Sequence, residues 1–280
     1  DALERLKHAA SILWSLKDPV NSVSALSIIG LTHLRCGRPV EAERFFENAL
    51  QIMQEAELLD RVDHLWMNLG LTAIMTGKLT RARQYFAHAY QRYHSLQVKQ
   101  PLALLYANTA MLHLLEEDSE ASRAWISEGY QMLDGQNHAI ALHTLLKVDG
   151  MNHLYTGKVD EALMAFENAL RILNEQGVHH QAADVMAFYS EALARTGKSE
   201  AAIEMLEKAT KLSGQHTAQH LICLCAGAVI YAQQFNHAGT QSALIKAKEL
   251  LNEFEAQRPD LHFQLNRVHK LLNIPVSDAG

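Results

Sequence analysis

Histidine is the residue type in this sequence with the most capacity for chemistry, and there are 16 of them. His216 and His220 stand four apart, on one face of any helix that holds both, and His220 follows His180 by 40 residues. With His179 they form the grouping nearest to a metal centre, because zinc accepts three or four imidazole nitrogens. No cysteine or carboxylate sits at a fixed spacing in that cluster, so no metal and no other cofactor is expected. His33, His113 and His153 fall in one column of the same 40-residue spacing, where Ala73 and Leu193 also stand. That mixture reads as residues bonded between helices. Among the carboxylates, Asp160 and Glu161 open a helix, where negative charge suits the backbone dipole, and Glu116, Glu117 and Asp118 read as a solvated turn. The sequence lacks a glycine-rich phosphate loop, an HExxH pair and a GxSxG elbow. No catalytic residue is assigned, and the chain is not expected to be an enzyme.

The three cysteines are Cys36, Cys223 and Cys225, the last two pointing in different directions on a helix. Reduced thiols and a cytoplasmic location are the plain expectation. Lys and Arg total 25 against 31 Asp and Glu, giving a formal charge of −6. Direct nucleic-acid binding needs a basic footprint that this balance does not supply. No stretch approaches the roughly 18 unbroken apolar residues of a membrane span.

The elements that must position these residues recur every 40 residues. Small residues stand at Gly30, Gly70, Ala110, Gly150 and Ser190, with Gly37, Gly77, Glu117, Gly157 and Gly197 seven residues later. Further along come Ala42, Ala82, Ser122, Ala162 and Ala202, then bulky Phe46, Phe86, Ile126, Phe166 and Leu206, then small Ala49, Ala89, Gly129, Ala169 and Ala209. Small residues let crossing helices approach, and bulky neighbours fill the groove between them. The second glycine column reads as a helix stop, because glycine takes the left-handed conformation at low cost.

Each unit therefore reads as helix A, a turn and helix B. The A helices fall near 21–36, 61–76, 101–116, 138–156, 179–196 and 217–234; the B helices near 39–57, 79–97, 119–133, 159–176, 199–212 and 237–256. Asp60, Asp118 or Ser119, and Ser199 are the expected caps. About six hairpins span 18–256, the sixth fitting through Ala228, Phe235, Thr240 and Ala247 with its spacing shortened by two. Residues 1–17 read as the B helix of a truncated repeat, 257–272 as a C-terminal capping helix and 273–280 as a loose tail.

These columns, with a large residue four before the first of them at Leu26, Trp66, Tyr106, Leu146 and Met186, resemble the tetratricopeptide repeat. Trp66 through Gly70, continuing to Gly77, Ala82, Phe86 and Ala89, matches best. The resemblance implies an all-α, right-handed superhelical solenoid of antiparallel helix pairs, over roughly residues 1–256. It also implies that the A helices line a concave face. The inward positions then include Asn68, Asn108, His64, Met67, Leu71, Met75, Leu104, Met111, Lys147, Met151, Tyr155, Glu191 and Arg195.

Family members that grip a C-terminal carboxylate cluster cations in these columns, and here Arg35, Lys147 and Arg195 are spread apart. An apolar, Met-rich groove for a helical or extended apolar peptide is the expected function, with Asn68 and Asn108 contacting the partner's backbone. The same Met and Leu residues could instead pack within the chain. Alternative uses are a ligand- or peptide-sensing regulatory domain of a larger protein, such as a bacterial transcription regulator, and a homo-oligomerisation segment.

Overall fold

The computed structural model describes residues 18–274 except 59–62, 134–137, 216 and 255–257, and before them only residues 4, 5, 8, 11 and 12. The truncated repeat expected at 1–17 thus lies largely outside the described residues, as do Asp60 and the side chains of Arg35 and His180. Every described regular element is helical; among the described residues there is no strand. The architecture is all-α, a succession of helix pairs. It divides into two compact units, residues 1–98 with 255–258, and residues 99–254 with 259–280.

In the first unit α1 (Pro19–Arg35) pairs with α2 (Pro39–Glu55), and α3 (Asp63–Met75) with α4 (Leu79–Leu96). Proline opens both α1 and α2, at the position where a missing N–H costs nothing. Ala42, Phe46 and Ala49 of α2 form one buried stripe, closed over by Ile29, Leu65 and Leu69.

The second unit runs through α5 (Lys99–Leu115), α6 (Ser119–Met132), α7 (Ala139–Tyr155), α8 (Val159–Glu175), α9 (Ala182–Arg195), α10 (Ser199–Ser213), α11 (Ala218–Gln233) and α12 (His237–Asn252). A single 3₁₀ turn, His179–Gln181, precedes α9. The C-terminal helix α13 (Pro259–Leu272) buries Leu261, Leu265 and Val268 with Leu221, Val229 and Leu251.

The two glycine columns serve different ends. A β-carbon added at Gly30 or Gly150 would come within 2.6 or 2.5 Å of the ring of Phe46 or Phe166, and one at Gly70 would collide with Phe86. Glycine here lets helix A press directly on the phenylalanine of helix B. Where the column holds Ala110 or Ser190, the facing position holds the slimmer Ile126 or Leu206.

The second column lies at turns, with positive φ at Gly37, Gly77, Gly157 and Gly197 and also at Glu117 and Phe235. At each, the next N–H reaches back to close the helix, as Lys78 N–H donates to the Ala73 carbonyl at 2.8 Å and Asn236 N–H to that of Tyr231 at 2.9 Å. This is the Schellman termination. Asp118 caps α6 by accepting from Ala121 N–H at 2.9 Å, whereas Ser199 is the first residue of α10 and Lys198 occupies the cap. Asp18, Thr217 and Asn236 are further side-chain caps.

Candidate binding face

Within the first unit, Met67, Leu71 and Met75 recur every four residues along α3 and are all half-buried, forming one stripe. His64, at the start of α3, is exposed, with Ser27 Oγ 3.4 Å from its Nε2. Asn68 is buried, at 7% exposure.

Within the second unit, Leu104 and Met111 are half-buried, while Asn108 and Met151 are buried at 8% and 3% exposure. The Asn108 amide nitrogen makes no hydrogen bond among the described residues. Lys147 donates to Asp184 at 3.0 Å, tying α7 to α9. Arg195 donates to the Leu154 carbonyl at 2.8 Å, and burial lowers its pKa against the opposing pull of Glu191.

Tyr155 and Arg195 take part in a larger constellation that joins Glu191 and Glu117 of the repeats to side chains of α13. Glu191 of α9 is 1% exposed, and a carboxylate can be buried only if it is paired. Arg267 of α13 meets it with two parallel bonds, Nη1 to Oε1 at 2.7 Å and Nη2 to Oε2 at 2.6 Å. The same guanidinium lies 4.6 Å from the Tyr155 ring centroid.

Tyr155 in turn donates its hydroxyl to Gln264 Oε1 at 2.8 Å and packs against Phe263 with ring centroids 5.6 Å apart. Further along, Lys270 donates to Glu117 at 2.7 Å, with both groups exposed. Burial, together with the charge of Glu191, pushes the Tyr155 phenol up, outweighing the lowering influence of Arg267. Arg267 itself is held firmly protonated, burial being outweighed by Glu191 and Tyr155. Beside them burial raises the Cys225 thiol to about 12, so it stays protonated.

Between α13 and the repeat helices remains a cavity of about 510 Å³, lined by Leu114, Glu117, Ser119, Tyr155, Phe263 and Arg267, among others. The helix expected only to cap the end of the array thus also lies across the ends of α5, α7 and α9. Of the anticipated inward positions, Tyr155, Glu191 and Arg195 take part in this constellation. Glu117, which reads from sequence as a solvated turn, and Gln264 and Arg267 of α13 were not among the anticipated site residues. The column through Leu31, Leu71, Met111 and Met151 is apolar until Glu191.

The histidines do other work. His33 stacks on Phe45 with centroids 5.2 Å apart, His113 lies 3.5 Å from Glu116, and His153 lies 3.2 Å from Asp149. His179 is exposed, and Ser213 Oγ is 3.4 Å from His220 Nδ1; His216 lies outside the described residues. Among the described residues no three potential ligands gather as a metal site. No described helix is long and apolar enough to cross a membrane.

Three solved structures share this architecture. The chain aligns over 95% of its length with a chain of the Cut9–Hcn1 heterotetramer of the APC/C, at 17% identity and a TM-score of 0.67, covering 46% of that chain. It aligns over 97% with a Rap protein complexed with the competence and sporulation factor, at 13% identity and a TM-score of 0.66, covering 85%. A signal-transduction ATPase with a tetratricopeptide-repeat sensor from Pyrococcus horikoshii matches over 97% of this chain and 41% of its own, at 14% identity and a TM-score of 0.61. No curated protein matches the chain. The tetratricopeptide-repeat family model matches residues 21–95 and 150–215, just over half of the sequence. The helix-pair fold, the repeated columns and this match lead to one conclusion: the chain belongs to the tetratricopeptide-repeat family.

Proposed function

We propose that the chain is a non-catalytic module that binds a protein or peptide through the inward faces of its A helices. The observation that carries this reading is the α3 stripe of Met67, Leu71 and Met75, half-buried while the other side of the helix is committed to the core by Leu65 and Leu69. Flexible thioether side chains suit an apolar peptide or helix. Leu104 and Met111 on α5 are the corresponding half-buried positions of the second unit, and Lys147 is committed to Asp184. Asn68 and Asn108 stay in the proposal as backbone contacts, to be reached from their buried positions by local adjustment.

The test uses the full chain with Met67→Asp and Met75→Asp as bait beside the unaltered chain, compared by quantitative capture. A partner retained by the unaltered chain and lost by the variant, with the melting midpoint unchanged, supports the proposal. A capture profile identical for both sinks the stripe as the binding surface.

A sensory role is favoured by a separate observation, the likeness to a Rap protein complexed with a competence and sporulation factor and to an ATPase bearing a repeat sensor. In that reading the chain is the sensing part of something larger, and small rotations at each repeat interface sum into a signal.

A further inference from the structure

A helix already rests on an inward face of the second unit. α13 offers Phe263, Gln264, Arg267 and Lys270, a spacing that puts them along one side of the helix. Each meets a counterpart contributed by the repeats: Tyr155 for the aromatic ring and the amide, Glu191 for the guanidinium, Glu117 for the ammonium. The chemistry of the seat follows from Glu191. An occupant that covers this face without supplying a cation would leave Glu191 only Arg195, 3.8 Å away and already bonded to the Leu154 carbonyl, in place of two short parallel bonds. A helix carrying arginine is therefore favoured over a wholly apolar one.

Two features weaken the resident's hold on this side, while Leu261, Leu265 and Val268 anchor its other side, so a replacement must bring apolar residues there as well. One of its charged contacts, Lys270 to Glu117, is about two-thirds exposed on both sides, and so holds weakly. The cavity beside Tyr155 and Phe263 also leaves the aromatic contact incompletely filled.

We propose that the face formed by Glu117, Tyr155 and Glu191 binds an amphipathic helix of a partner protein that carries an aromatic residue and an arginine one turn apart, and that α13 is its resident competitor. The partner helix replaces α13 and brings its own arginine to Glu191. The inference rests on the peptide-binding reading above but concerns a different surface from the α3 stripe, so the two can fail separately.

The probe is a fluorescent peptide with the sequence of residues 259–272, titrated by anisotropy into the full chain, Arg267→Gln and Lys270→Glu. Loosening the resident should tighten peptide binding, at least about tenfold for Arg267→Gln, where a buried pair is lost, and about threefold for Lys270→Glu, where an exposed one is reversed. A peptide with glutamate at the position equivalent to Arg267 should not bind.

Lys270→Glu alters only exposed groups, so it carries the test if Arg267→Gln does not fold. Equal affinity for the unaltered chain and the folded variants would overturn the competition. Equal binding of the glutamate peptide would overturn the arginine selection. Peptide-induced dimers by light scattering would assign the seat to exchange between copies of this chain and overturn the assignment to a partner. Loss of partner capture in the Met67 and Met75 variant, with peptide binding intact, would instead leave this inference standing.

Discussion

At the scale of single residues, the fold turns on what faces the first glycine column. Gly70 has no side chain because the Phe86 ring occupies the space where one would be, and the repeats with Ala110 and Ser190 pair them with Ile126 and Leu206 instead. Gly70→Ala should therefore destabilise the chain by about 1–3 kcal/mol through overpacking. Adding Phe86→Leu should recover part of the loss, since it recreates the small-and-slim pairing of the fifth repeat. Urea denaturation of the single and double variants checks both statements, and a double variant weaker than the sum of the singles would contradict the pairing. These columns were legible before the structure because packing at a helix crossing leaves a periodic trace in side-chain size. The same spacing puts Glu191 on the inward face, but its pairing was not legible, because Arg267 lies 76 residues away and belongs to no column.

At the scale of elements, the same Schellman turn closes successive A helices whether or not glycine is present. Phe235 is the costly case, at φ 57° and 85% exposed, with a left-handed backbone and no apolar burial to offset it. Left-handed geometry costs a non-glycine residue roughly 1–2 kcal/mol, partly recovered through the smaller entropy of its unfolded chain. Phe235→Gly should accordingly raise stability by about 0.5–1 kcal/mol in thermal unfolding, and a lowered melting midpoint would contradict the turn. Helix ends were readable from these stops: α2 was expected at 39–57 and spans Pro39–Glu55, and α8 was expected at 159–176 and spans Val159–Glu175. The start of α9 was less so, because the turn His179–Gln181 is 3₁₀ and carries no capping side chain to mark the change.

At the scale of the molecule, the sequence announced repeats and an inward face but not what fills it. α13 combines two roles that read differently in sequence. Leu261, Leu265 and Val268 pack with Leu221, Val229 and Leu251 of the second unit, a contact that their amphipathic spacing anticipates. Gln264 and Arg267 reach instead to Tyr155 and Glu191, contacts that only the folded chain reveals. On the proposed competition, this helix holds a partner's place. Amide hydrogen exchange can be measured on the full chain with and without a saturating excess of the 259–272 peptide distinguished by isotope. Exchange in the chain's own α13 should rise at least about tenfold when the peptide is present, as a shift toward the open form requires, while α8 and α10 stay unchanged. Undiminished protection of α13 with the peptide bound would contradict it.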